Sequence, residues 1–128
     1  MGNIVTNIGG VLSAVTNTVA YTDSSAVTIG TIPANAQIVD INIDVTTAFN
    51  AATTNTVTVG KSGSAAAFVA STSVGSAGRA SVASTGVYSA WADVGAAEVP
   101  VTATYAQTGT AATAGAMRVT VVYRSPAP

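Results

Sequence analysis

The clearest pattern in the chain is a strict alternation of apolar and polar residues from Gln37 to Thr47. Its apolar positions are Val39, Ile41, Ile43 and Val45. Successive side chains of a strand point to opposite faces of a sheet, so this pattern predicts a strand with one buried face and one wet face. The wet face carries Asp40 and Asp44, and we expect a central strand with an acidic outer surface.

Shorter segments of the same kind predict further strands, separated by turns rich in Gly, Ser, Asn and Asp. They are residues 13–22, 26–32, 55–60, 65–70, 86–91, 98–105 and 116–124. Pro100 indicates an edge strand or the beginning of one, because proline cannot donate to a sheet ladder. Residues 71–85 predict a long loop or a helical turn at most. No substantial helix is expected, since the alanine-rich patches are too short to propagate one.

About eight short strands separated by turns predict an all-β fold, a single β-sandwich with jelly-roll or Greek-key connections. Residues 13–128 are expected to form this domain. Residues 1–12 are expected to form an N-terminal arm with Gly9 and Gly10 at its hinge. The arm is the candidate for reaching a neighbouring subunit, through Ile4, Val5, Ile8, Val11 and Leu12.

Charged residues make up only 7% of the chain, against about 25% in an average soluble domain. The net charge is -1, and the four basic residues are scattered along the chain, which predicts no nucleic-acid binding. A weakly charged surface of small residues suits a protein that packs against neighbours in many copies, or simply a chain with few charges. The longest wholly apolar run, residues 65–70, is too short to span a membrane.

Two residue types on which many enzymatic sites depend, histidine and cysteine, are missing from the chain. Their absence excludes Ser-His-Asp and Cys-His nucleophiles and the usual zinc sites. Residues 60–62 resemble the end of a phosphate-binding loop, but Asn55 stands where that loop requires glycine. We therefore predict no enzyme, no cofactor and no metal site.

Asp40 and Asp44 also fail as a calcium or catalytic site. Val45 and Ala51 occupy the positions at which an EF-hand loop needs glycine and glutamate. On one strand face the two carboxylates stand about 13 Å apart, whereas glycosidase pairs lie at most about 9.5 Å apart. Only a cluster assembled from all the acidic residues could support catalysis: Asp23, Asp40, Asp44, Asp93 and Glu98.

Trp91, with Tyr88 close by in sequence, has two interpretations. A single tryptophan beside strand residues is typical of a core or an interface, and it can also form a platform for stacking a sugar. We take Trp91 as an interface candidate. A carbohydrate-binding or adhesin module of the same fold is the alternative function.

Several segments resemble the decoration, or cement, proteins of tailed-bacteriophage heads. They are residues 28–36 (TIGTIPANA), residues 45–50 (VTTAFN) leading to 57–60 (VTVG), and residues 113–123 (TAGAMRVTVVY). A weaker match joins residues 67–70 to 77–79. The resemblance extends over most of the chain from Thr28 onward.

This resemblance implies a small jelly-roll protein that binds the outer surface of the phage head in many copies. Such a protein would clamp neighbouring subunits of the major capsid protein and would have no catalytic activity. It also implies a homo-oligomer at a local symmetry axis, with a trimer favoured and a dimer as the other possibility. The expected location is therefore the outer surface of the virion head.

Overall fold

The computed structural model describes residues 12–125 as a sandwich of two four-stranded antiparallel sheets. In chain order the elements are β1 (Leu12–Ala20), β2 (Val27–Ile32), β3 (Gln37–Thr47), β4 (Thr54–Lys61), β5 (Ser64–Ser73), β6 (Gly78–Ala80), α1 (Tyr88–Trp91), β7 (Val99–Thr108) and β8 (Ala116–Arg124). The strand orders are β1-β8-β3-β6 and β2-β7-β4-β5. This interleaving is the jelly-roll arrangement, and it confirms the predicted all-β sandwich.

The core lies between the sheets and is built from alternate residues of both. Valine and isoleucine dominate it because branched side chains pack well on a pleated surface. Its fully buried members include Ile41, Ile43, Val57, Val59, Val69, Val101, Val119 and Val121. Phe49 and Phe68 add bulk, and both are almost completely buried.

Strand β3 has the predicted bounds, but its alternation is interrupted near the start. Ile41, Ile43 and Val45 are buried as expected, whereas Val39 is 42% exposed and Ile38 is only 3% exposed. The pairing with β8 passes from Ile38–Tyr123 directly to Asp40–Val122, which leaves Val39 as the extra residue of a bulge. A bulge shifts the alternation by one position, so the prediction that Val39 faces the core was wrong.

The bulge predicts that threonine substitutions at two neighbouring positions have very different effects on stability. Ile38→Thr should lower the free energy of unfolding by about 2–4 kcal/mol, because it removes buried methyl groups and buries a hydroxyl. Val39→Thr should change it by no more than about 0.5 kcal/mol, because this side chain faces solvent. Urea denaturation of both variants measures the difference. Equal losses would contradict the observed register.

The segment predicted as a strand at residues 86–91 contains the short helix α1, so that prediction was wrong. Gly86 forms an isolated bridge with Val69, and the chain then turns. The backbone N–H of Val87 and the indole N–H of Trp91 both donate to the carbonyl oxygen of Phe68. Tyr88 and Trp91 are three positions apart, a spacing that places them on one side of a helical turn, and their bulk was mistaken for that of a strand.

The predicted loop at residues 71–85 also contains regular structure. It holds the end of β5 and the three-residue strand β6, which pairs with β3.

Strand β7 lies inside its sheet, between β2 and β4, and so is not the edge strand that Pro100 indicated. Pro100 is the second residue of β7 and stands opposite Thr31 of β2. The pairing between β7 and β4 ends at Thr102, before the proline is reached. The proline is therefore tolerated because it lies at the beginning of the strand.

The first strand begins one residue before its predicted start. Strand β1 begins at Leu12 and pairs with β8 along its whole length. The rest of the predicted arm, residues 1–11, lies outside the described residues.

Candidate interaction surfaces

The outer face of the β1-β8-β3-β6 sheet carries two ion pairs. Arg79 contacts Asp40 at 3.0 Å, and Arg118 contacts Asp44 at 3.4 Å. The four side chains are between 35% and 60% exposed, so each pair contributes about 0–1 kcal/mol to stability. The face is therefore not the acidic one that the sequence predicts, because each aspartate lies beside an arginine from a neighbouring strand, and the exposed Arg124 of β8 is on the same side of the sheet.

The outer face of the β2-β7-β4-β5 sheet is different, because it is rich in hydroxyl groups and nearly free of charge. Lys61, at the end of β4, is the one charged residue within these four strands. Threonines alternate along the two central strands: Thr54, Thr56 and Thr58 on β4, and Thr102, Thr104 and Thr108 on β7. A face without charges can be covered by a partner without the cost of desolvating them.

Among the predicted interface residues of the arm, the structure describes Leu12. Its side chain is 51% exposed at the first position of β1, where residues 1–11 join the sandwich. The other predicted contacts of the arm, Ile4, Val5, Ile8 and Val11, lie outside the described residues.

Trp91 lies in the core with 6% of its surface exposed. Its indole N–H donates to the carbonyl oxygen of Phe68 at 2.9 Å, and its ring meets that of Tyr88 in an edge-to-face contact. The buried ring presents no free face to a sugar and little surface to a partner subunit. Tyr88, which is 51% exposed, is the accessible aromatic residue of this pair.

Two of the segments that resemble phage decoration proteins meet at one end of the sandwich. Asn50 accepts hydrogen bonds from the backbone N–H groups of Thr113 and Ala114, at 2.8 and 3.0 Å. The ring of Phe49 packs over Gly115, where a Cβ atom would lie 2.4 Å from the ring. These residues therefore join two loops and close the core, which is a structural role.

A buried tyrosine supports the same end of the molecule. The Tyr105 hydroxyl donates to Asn55 Oδ1 at 2.6 Å, and its ring centroid lies 4.4 Å from that of Phe49. Burial raises the pKa of the Tyr105 hydroxyl above its ordinary value, because the charged phenolate is poorly solvated there. The group therefore stays protonated and serves as a hydrogen-bond donor.

The acidic residues do not form a joint site. Asp23 accepts a hydrogen bond from the backbone N–H of Ala20, and Asp93 accepts one from Gly95. Within residues 12–125, no group of three or more Asp, Glu, His or Cys side chains is placed to hold a metal ion. The same part of the chain has no helix long and apolar enough to cross a membrane.

Comparison with known proteins gives a similarity at the level of the fold. No protein-family model matches the chain, and no curated protein matches it. Among solved structures, it is similar to a chain described as "Cyanophage Pam1 capsid asymmetric unit", with a TM-score of 0.71 and 23% sequence identity. The similarity covers 98% of this chain and 93% of that chain. The protein thus shares its fold, over nearly its whole length, with a chain from a phage capsid.

Proposed function

We propose that this protein is a structural component of a phage virion that binds the outer surface of the head in many copies. There it stabilises the shell by clamping neighbouring subunits of the major capsid protein. The similarity to a chain of a phage capsid asymmetric unit, over 98% of this chain, carries the proposal. The resemblance of residues 28–36, 45–60 and 113–123 to head decoration proteins points the same way.

The surface chemistry supports this proposal. Part of the surface of a decoration protein must be buried against neighbouring protein subunits. The β2-β7-β4-β5 sheet provides a nearly uncharged, hydroxyl-rich face for such a contact. Charged residues are depleted at the centres of protein interfaces because removing them from water is costly. On the opposite face Asp40 and Asp44 are each paired with an arginine, and the net charge of the chain is -1, so no strong positive field directs the molecule toward nucleic acid.

The N-terminal arm is the second contact in this proposal. Leu12, the last residue of the predicted arm, is exposed at the first position of β1. The preceding eleven residues could reach roughly 36 Å if fully extended, which is enough to cross onto a neighbouring subunit. A homo-oligomer, with a trimer favoured and a dimer as the other possibility, would place several arms around one symmetry axis.

The alternative drawn from the sequence, a carbohydrate-binding module with Trp91 as its platform, lacks support because that ring is buried. We also propose that the protein has no catalytic activity. The buried Tyr105 and the half-buried Asn55 hold the chain together through hydrogen bonds.

Binding to undecorated heads tests the proposed function. Purified protein mixed with such heads and sedimented should saturate at a fixed number of copies per head. Raising the salt from about 0.1 to 1 M shortens the Debye length from about 10 to 3 Å, yet the bound fraction should change little, because the proposed contacts are uncharged. Failure to saturate, or release by salt, would contradict this account of the contacts.

A further inference from the structure

An open cleft lies beside β3 and β6 on the outer face of the charged sheet. Its volume is about 350 Å³, and its lining residues are Asp40, Arg79, Ser81, Val82, Ala83 and Tyr88. The residues come from β3, from β6 and from the segment between β6 and α1. The cleft therefore exists only because β6 pairs with β3.

Tyr88 is held firmly in the wall of this cleft although half of its surface is exposed. Its hydroxyl donates to the carbonyl oxygen of Val82 at 3.1 Å. Its ring lies against Gly86, where a Cβ atom would come within 2.9 Å of Tyr88 Cζ, and meets the ring of Trp91 at 70° with centroids 4.6 Å apart. A ring fixed in this way loses little conformational freedom when a ligand stacks on it.

The Asp40–Arg79 ion pair supplies the polar groups of the cleft. The carboxylate accepts hydrogen bonds and the guanidinium donates them, and their 3.0 Å contact uses only part of the capacity of each. The side chains remain 43% and 60% exposed, so both can bind a further partner. Their charges cancel, and a neutral ligand therefore fits this cleft better than an ionic one.

We propose that this cleft binds a neutral saccharide. The apolar C–H face of one sugar ring would stack on Tyr88, and its hydroxyls would pair with the Asp40 carboxylate and the Arg79 guanidinium. The volume is at the small end of the range of ligand pockets, which suits a single sugar unit of a longer chain. The proposal adds a second binding activity and does not depend on attachment to a capsid.

Asp44 provides a matched control for Asp40. Both aspartates lie on the outer face of β3 and pair with an arginine, but Asp44 does not line the cleft. In NMR titrations with glucose, galactose, N-acetylglucosamine and their short oligomers, at least one sugar should shift the amide signals of Arg79, Ser81 and Tyr88. Tyr88→Ala and Asp40→Asn should each weaken that binding about tenfold, while Tyr88→Phe and Asp44→Asn leave it within about twofold.

Three results would overturn the proposal. One is the absence of shifts at the cleft with every sugar at about 20 mM, where even a millimolar complex would be mostly formed. Another is an equal loss of binding in Asp44→Asn and Asp40→Asn. The third is a loss of head binding in Asp40→Asn without any sugar binding by the parent protein, which would make the cleft a protein contact. If Tyr88→Ala unfolds, the comparison of Asp40→Asn with Asp44→Asn still decides whether the cleft binds the sugar.

Discussion

Phe49→Ala is expected to lower the free energy of unfolding by about 3–5 kcal/mol. The ring is 1% exposed and packs on Tyr105 with a centroid distance of 4.4 Å. Its removal would leave a cavity at the end of the core. The hydrogen bonds from the facing loop to Asn50 hold the surrounding backbone in place, so we expect this cavity to stay open. Since domains of this size are stable by about 5–15 kcal/mol in total, the loss would be easy to measure by urea denaturation.

Gly115 provides a control that is specific to this packing. A Cβ atom at this residue would lie 2.4 Å from the Phe49 ring, so Gly115→Ala should also destabilise the protein. Part of that cost should disappear once the ring is gone, because the added methyl group then enters the cavity. We expect a coupling of at least about 1 kcal/mol in the double-mutant cycle. Strict additivity would show that the ring and the glycine are not packed as described.

Deletion of residues 1–10 is expected to reduce binding to undecorated heads at least about a hundredfold. The reason is the apolar content of the arm, because two aliphatic side chains buried on a neighbouring subunit contribute about 3 kcal/mol. The sandwich itself should keep its thermal stability, since its first strand begins at Leu12. Sedimentation with heads and a thermal melt of the free protein provide the two measurements.

A matched pair of arm variants separates apolar contact from arm length. Changing Ile4, Val5 and Ile8 to serine should reproduce the deletion, whereas serine at Asn3, Thr6 and Asn7 should leave binding nearly unchanged. If the deletion alters neither head binding nor oligomerisation, the arm is not a contact, although the sandwich could still bind through its uncharged face.

The strand pattern could be predicted from sequence wherever one sheet face is buried and the other is wet. Strand β3 has the predicted bounds, and β8 does as well, because buried methionine and valine residues recur at every second position from Met117 to Val121. In β7 the inward residues Val99, Val101 and Tyr105 are buried as the alternation indicated. Local periodicity was sufficient to locate these strands because the sandwich buries one face of each.

The errors arose where structure depends on distant contacts. The bulge at Val39 is set by the pairing of β3 with β8, and alternation within β3 alone cannot show it. Strand β6 has three residues and exists because Arg79 and its neighbours pair with β3. The turn at α1 is fixed by hydrogen bonds from Val87 and Trp91 to Phe68, about twenty residues earlier in the chain.

The candidate sites could be predicted even less well. Asp40 looked like half of an acidic pair with Asp44, whereas in the folded chain each is paired with an arginine. The cleft joins Asp40 to Tyr88, which are far apart in sequence, and the sequence pointed to the neighbouring Trp91 as the aromatic platform. Trp91 is buried and Tyr88 is exposed, and this difference can be seen only in the folded structure.

Electron cryomicroscopy of undecorated heads incubated with the purified protein would show whether the protein clamps the capsid. We expect jelly-roll density of this chain on the outer surface of every head, repeated at local symmetry axes and touching at least two neighbouring capsid subunits. Heads that carry no added density, or copies that each rest on a single subunit, would contradict the proposed clamping.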